Sequence, residues 1–427
     1  MAMSLGFHIL FAVAGIAMPL FMVLAEWRWR RTGDDTYRVL AKRWSKGVAI
    51  LFAVGAVSGT VLSFELGLLW PNFMEFAGPI IGMPFSLEGF AFFLEAIFLG
   101  VYLYGWERVS PKLHLASGVG VLICGTLSGA FVVCANAWMN APVGFELNPD
   151  GSVLSVDVWG AMFNPAMPTQ VLHMTLAAFQ SVAFAVAGLH AWRLLKSPGH
   201  RFHLAALRLV LPVAVVTAFL QPISGDLAAK HLAHHQPVKF AAMEALWDTQ
   251  TGAPLTIGGW PDEAARETYG AIEIPYALSF LGHADFQAEI TGLNDIDPSL
   301  WPPIAIVHVA FQIMVGAGMA MLAVGALVAF RAWRVRGLPT DPWLLKLLVA
   351  VSPLGLIALE AGWTVTEVGR QPWVVRGFLR TADAVTPMPH LAVPFLAFTA
   401  LYAVLGLVVV AMLRRHVFSV PEDVPHA

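Results

Sequence analysis

Nine times along the chain, apolar residues run on for about 20 positions with few charges, over roughly 5–26, 47–69, 85–106, 114–137, 168–192, 204–224, 303–330, 344–368 and 390–413. That is the length of helix a bilayer demands. The pattern predicts an all-α integral membrane protein with about nine transmembrane helices. Most connections are short, but two are not. One covers about 138–167 and has no basic residue; the other covers about 225–302. A connection as long as the second usually carries function. It reads as a polar His-rich start, an amphipathic patch near 238–250, a Gly/Pro turn region at 252–261 and an acidic helical piece near 262–268. With no internal repeat and no low-complexity tract, 1–427 reads as a single membrane domain, with 225–302 a loop within it.

Composition agrees: charged residues are 12% and hydrophobic residues 58%, against about 25% charged in soluble domains. Nothing in it points to a nucleic-acid partner. Trp27, Trp29, Trp70, Trp106, Trp138, Trp192, Trp301 and Trp333 fall near span ends, where interfacial anchors belong. Basic residues set the orientation. Nineteen of the 25 lie on one side, in the connections after spans one, three, five and seven and after span nine. The other side holds Lys230, Lys239, Arg266, Arg370, Arg376 and Arg380. The positive side is cytoplasmic, so the N-terminus is expected outside and the C-terminus in the cytoplasm. The first residues lack the basic start of a signal peptide, and the first run is long enough to span. Cys124 and Cys134 share span four, about 15 Å apart along a helix, too far to pair with each other.

Polar residues inside the spans are the candidates for chemistry, because burial there demands a partner or a purpose. They include His8, Glu65, Glu88, Glu95, His173, His190, His308, Met314, Glu360 and Glu367. The expected topology brings His8, His173, Met314 and Glu367 to the outer half of the bilayer on four different spans. Each has a plainer reading. A lone histidine often bonds helix to helix, a lone methionine fills core space, and Glu367 alone suits an ion pair with Arg370. A common depth favours iron, for which His and Met are a standard low-spin axial pair. Glu88 and Glu95, seven apart, share a helix face and suit a proton relay, which Ser128 and Asn136 of span four would extend. His308 is six residues before Met314 and reads as a hydrogen-bonding core residue. His231, His234 and His235 read as a solvated polar loop.

Glu367-Val368-Gly369-Arg370-Gln371-Pro372-Trp373 resembles the signature of subunit I of cytochrome bd-type quinol oxidases. The likeness continues through Gly6-Phe7-His8, Leu87 to Glu95, Ala135 to Asn140, Lys239 to Glu244 and Phe311 to Gly316. It covers nearly the whole chain, in order. It implies that His173 and Met314 are axial ligands of a low-spin heme b, and that His8 and Glu367 hold a high-spin heme b and a heme d (or a third heme b), in an order left open. Trp363, one turn before Glu367, would sit between hemes, and Arg370 would neutralise propionates. Lys239 and Glu244 would bind and deprotonate quinol, and Glu88 and Glu95 would pass protons. Family members often carry arginine where this chain has Gln312, so a propionate salt bridge is lost there. Only seven residues precede His8, fewer than the family's usual lead. The loop lacks the large insertion of one branch, so the chain resembles the short-loop branch that includes the cyanide-insensitive type.

The resemblance further implies ubiquinol or menaquinol and dioxygen as substrates, protons drawn from the cytoplasm, a second subunit, a small third one, and residence in the bacterial inner membrane. Two other readings fit the spans: a diheme b-type subunit passing electrons from quinone without oxygen chemistry, and a proton-coupled transporter.

Overall fold

The computed structural model describes residues 1–417; 418–427, the C-terminal end included, lie outside them. Among the described residues nine helical segments are long and apolar enough to cross a membrane. They are α1 (Ala2–Thr32), α2 (Asp35–Leu69), α3 (Pro71–Tyr104) and α4 (Pro111–Asn140), then, after the short α5 (Val158–Met162), α6 (Met167–Lys196) and α7 (Arg201–His235). The short α8 (Pro237–Glu244) and α9 (Ala277–His283) belong to the long connection. Next come α10 (Ile304–Val335), the eighth segment as α11 (Pro342–Val351) plus α12 (Leu354–Val368), the short α13 (Thr381–Ala384), and α14 (Ala392–His416).

The helices begin and end where side chains answer exposed backbone groups. Asp34 caps α2 by accepting from the Thr36 N–H, and Ser110 caps α4 by accepting from Leu113, ahead of Pro111 at the first helical position. The eighth run is one apolar stretch in sequence, but Pro353 interrupts the helix, because proline offers no N–H to continue the ladder. The largest core cluster includes Val13, Phe21 and Met22 of α1, Leu40 of α2, Phe184 of α6, Leu207 of α7 and Leu348 of α11. The helices outrun the predicted spans at several ends.

The two ends of the bundle differ in chemistry. At one end Arg30 pairs with the fully buried Glu26, His114 Nδ1 lies 2.9 Å from the same carboxylate, and Arg38 meets Glu107. Lys42 lies over Trp106 and Lys196 over Trp192 there. The other end carries, among the described residues, five two-stranded antiparallel ribbons built from ten short strands. These are β1 (Phe145–Leu147) with β2 (Val153–Val156), β3 (Gln250–Thr251) with β8 (Glu289–Ile290), and β4 (Leu255–Ile257) with β7 (Ile272–Ile274). The remaining two are β5 (Trp260–Asp262) with β6 (Glu267–Tyr269), and β9 (Trp373–Val375) with β10 (Leu379–Arg380).

Two local expectations in the long connection fail. The stretch 262–268 is the β5–β6 hairpin, not a helix. Asp262 Oδ1 accepts from the N–H groups of Ala264 and Ala265, forming an Asx turn that outcompetes helix nucleation, and Arg266 follows at φ 54°. His231, His234 and His235 are not loop residues: α7 continues through them, and the His231 and His235 rings stack at 4.3 Å. Of the amphipathic patch near 238–250 only the part to Glu244 is helical, as α8, and it is not one-sided: every residue from Lys239 to Glu244 is buried.

Candidate functional site

Glu367 occupies the penultimate position of α12, at the ribbon-bearing end. Asn136 Nδ2, from α4, donates to its Oε1, and Arg370 Nη2 donates to its Oε2. The plain ion pair is therefore made, but it does not satisfy the arginine. Arg370 is 4% exposed, and its Nε and Nη1 are buried with no partner among the described residues. A buried cationic group with two unused donors suits an anionic ligand group such as a propionate.

The polar contacts continue from there. Asn140, one turn after Asn136, donates to the Asn136 carbonyl at 2.9 Å. Lys239 Nζ donates to Asn140 Oδ1 at 2.6 Å and to the Thr366 carbonyl at 3.3 Å. Lys239, Asn140, Asn136, Glu367 and Arg370 thus form one hydrogen-bonded series across α8, α4 and α12. Asn136 belongs to this series rather than to the Glu88 relay. Burial, then the nearby Arg370 charge, brings the Lys239 ammonium down to about 7. Glu244, at the last turn of α8, is pushed up to about 8 by burial, with the Thr256 N–H at 3.4 Å from Oε2. Among the described residues no ion pair joins Lys239 to Glu244. Five residues put them on different sides of α8.

The two histidines share one arrangement. Ser58 of α2 donates its hydroxyl to the Val54 carbonyl at 2.8 Å, and its oxygen lies 2.9 Å from His8 Nδ1. Ser224 of α7 donates to the Gln221 carbonyl at 2.8 Å and lies 2.9 Å from His173 Nδ1. A hydroxyl whose proton is committed accepts from the ring, so Nδ1 carries the proton and Nε2 presents its lone pair. That tautomer is the one a metal takes. Gln221 Nε2 lies over the His173 ring, 3.2 Å from its Nε2, a contact that ligation would displace. Met314 of α10 points at α12, where a Cβ on Gly362 would come within 3.0 Å of its Sδ. Trp363 follows in that helix and packs on the main core cluster.

These residues fit a heme. Glycine stands beside His8 at Gly59, beside His173 at Gly225 and beside Met314 at Gly362, sparing room around each donor. Among the described residues no group of three or more His, Cys, Asp or Glu gathers as a bare ion would need. Donors spread singly over α1, α6, α10 and α12 suit iron already held by a macrocycle.

On α3, Glu88 accepts from Ser128 Oγ at 3.1 Å. Glu95 is 4% exposed and lies against α4 where Gly125 leaves room, a Cβ there falling 3.2 Å from its Oε1. Glu65 is fully buried and accepts from Ser4 at 2.6 Å. Cys124 and Cys134 are free and buried. Sequence reasoning missed Ser58 and Ser224, for which the one signal available was a small polar residue inside an otherwise apolar run, and gave Asn140 no role beyond closing the Ala135 to Asn140 likeness.

The whole arrangement can be set beside known proteins. The family model described as cytochrome bd terminal oxidase subunit I matches residues 1–421. A Bacillus subtilis protein named putative cytochrome bd menaquinol oxidase subunit I is 38% identical, across 98% of this chain and 95% of its own. A second from the same organism, cytochrome bd ubiquinol oxidase subunit 1, is 32% identical across 98% and 92%. The solved bd oxidase from Geobacillus thermodenitrificans superposes with a TM-score of 0.90 at 41% identity, covering 97% of this chain and 96% of the other. The chain therefore belongs to the cytochrome bd terminal oxidase subunit I family.

Proposed function

We propose that this chain is the heme-bearing subunit of a terminal quinol:oxygen oxidoreductase that oxidises quinol beside Lys239 and Glu244 and reduces dioxygen to water. Family membership makes it a subunit of a multi-pass membrane quinol oxidase that uses heme and works with a partner subunit. The finer reading rests on one observation: the hydrogen-bonded series joining Lys239 to Glu367 and Arg370. It ties the proposed quinol site directly to a proposed heme ligand.

His173 and Met314 are assigned to a low-spin heme b, and His8 and Glu367 to two high-spin hemes, one of them heme d. When bound, the hemes supply one-electron carriers and the iron at which oxygen is reduced. The side chains do the rest. Lys239 donates a hydrogen bond to a quinone oxygen. Glu244 takes the proton that quinol releases, and its raised acidity range near 8 suits a base working close to neutral pH. Arg370 Nε and Nη1 would hold a propionate, and Trp363 would lie between hemes. Glu88 and Glu95 hold and pass protons along the α3–α4 groove. The ribbon-bearing end is assigned to the outer face of a bacterial inner membrane, because nineteen basic residues gather at the opposite end. Menaquinol or ubiquinol is the donor, as the relatives' names suggest, and the partner is a second, related subunit with a small third one. The short connection supports a likeness to the short-loop branch, which includes the cyanide-insensitive type.

If Glu244 is the base, its ionised form is the active one. Activity in kcat/KM for quinol should therefore rise with pH and level off above about 8. Glu244→Gln should lower that value by about 10²-fold or more and flatten this limb. An unchanged pH profile in the variant would exclude the role. The same group sets a stability trend. Its folded pKa is above the unfolded value of 4.5, so its contribution is present below 4.5 and lost as pH rises through about 8.

The serine partners give a separate expectation. Ser224→Ala frees Nδ1 of His173 and should weaken retention of the low-spin heme by roughly 10–100-fold. Ser58→Ala should do the same to the heme on His8 and spare the low-spin signal. Heme release followed in detergent by absorbance checks both.

A further inference from the structure

The edge of β4 opposite β7 faces the membrane helices, and two side chains of α10 satisfy it. Thr256 pairs with Glu273 in the ribbon. Outside the ribbon, its N–H points to Glu244 Oε2 at 3.4 Å and its carbonyl accepts from Gln312 Nε2 at 2.9 Å. Gln312 Oε1 accepts from the Gly258 N–H at 3.0 Å. His308, one turn before Gln312 on α10, is fully buried. Its Nδ1 lies 2.9 Å from the Met243 carbonyl and its Nε2 lies 3.0 Å from the Gly258 carbonyl. Both acceptors are backbone carbonyls, so a neutral ring donates to one and a protonated ring to both. Gly258 has φ +67° and Gly259 φ +90°, left-handed conformations in which the chain turns back after β4.

We infer that His308 and Gln312 are positioning residues for the quinol site: from α10 His308 joins the end of α8 to the end of β4, Gln312 fixes β4 itself, and together they set Glu244 against Thr256. The inference rests on the reading of Lys239 and Glu244 as the quinol site. The plainer view is a core histidine that merely satisfies its own polarity. Its partners argue otherwise. One is the backbone next to Glu244, the other lies two residues from Thr256, and neither belongs to the transmembrane bundle. Gln312, one turn on, adds two bonds to the β4 side alone, at Thr256 and Gly258. An open sheet edge needs such cover. Here the cover comes from the helix that carries Met314, so the proposed quinol site on α8 is held against the element that bears a proposed low-spin heme ligand. Neither His308 nor Gln312 is asked to touch the reacting atoms. Their effect passes through Glu244 and the backbone that faces it.

The test uses the purified holo-complex with a short-chain quinol such as duroquinol. His308→Leu and Gln312→Leu are compared with His308→Gln, which keeps a donor, and with Glu244→Gln. KM, kcat, the dithionite-reduced spectrum and hydrogen–deuterium exchange over 250–262 are measured. KM should rise about tenfold in each leucine variant, with kcat within about twofold and the low-spin heme band intact. Exchange over 250–262 should quicken, and His308→Gln should lie nearer to wild type. The inference is overturned if both leucine variants keep the wild-type KM while Glu244→Gln raises it. It is equally overturned if they lose the low-spin band with KM unchanged, which marks core packing alone. A Glu244→Gln enzyme with unaltered KM and pH profile removes the quinol-site reading itself, and this inference with it. Should His308→Leu not assemble, His308→Gln and Gln312→Leu carry the same comparison.

Discussion

Glu367→Ala should abolish one high-spin heme signal and leave the low-spin heme on His173 and Met314 in place. Loss of a ligand exceeds the ~10–100-fold that a ligand's hydrogen-bonding partner costs, so oxygen reduction should fall below about 1% of wild type. Reduction of the low-spin heme by quinol should persist, because Lys239 and Glu244 remain. The substitution also strands Arg370. Removing one partner of a fully buried pair costs roughly 3–5 kcal/mol. The cost is smaller here because the Glu367 side chain is 32% exposed. Glu367→Gln separates the two effects, since it keeps a side-chain oxygen able to accept from Asn136 while losing the charge. If the high-spin spectrum of Glu367→Ala matched wild type, Glu367 would be only an ion-pair partner for Arg370.

The second large effect is at His173. His173→Ala should remove the low-spin b band and stop electrons from quinol reaching oxygen, with turnover reduced by about 10²-fold or more. The high-spin hemes should stay reducible by dithionite. Met314→Leu fills similar space and should also convert the low-spin signal, with a milder effect on heme content. A surviving low-spin band in His173→Ala would move that heme to other ligands, with His308 on α10 the first to test.

Both experiments bear on how far the sequence alone leads. The nine spans were legible because a bilayer imposes a length and the chain repeats it. The eighth shows the limit: 344–368 is uniformly apolar, yet Pro353 divides it into α11 and α12. The acidic stretch near 262–268 has helix-forming residues, but the Asp262 side chain captures two backbone N–H groups and turns the chain. Local competition of that kind is invisible to periodicity. Residues of the proposed site stood out as polar positions in apolar runs, and the motif around Glu367 gave the family. Their partners did not stand out. Ser58 is 50 residues from His8 and Ser224 is 51 from His173, so only packing of α1 on α2 and of α6 on α7 reveals that each serine fixes a ring tautomer. Asn136 likewise looked like an extension of the Glu88 relay, and a hydrogen bond from α4 to α12 ties it to Glu367. His308 read correctly as a hydrogen-bonding core residue, but not what it holds.

The central claim is that four ligands on four helices hold a low-spin and two high-spin hemes. The most direct measurement is the visible spectrum of the purified complex, reduced with quinol and then exposed to carbon monoxide. The account predicts a Soret band, a low-spin b band that quinol reduces, and a chlorin band in the far red that shifts with carbon monoxide. A spectrum with low-spin b bands alone and no response to carbon monoxide would contradict it.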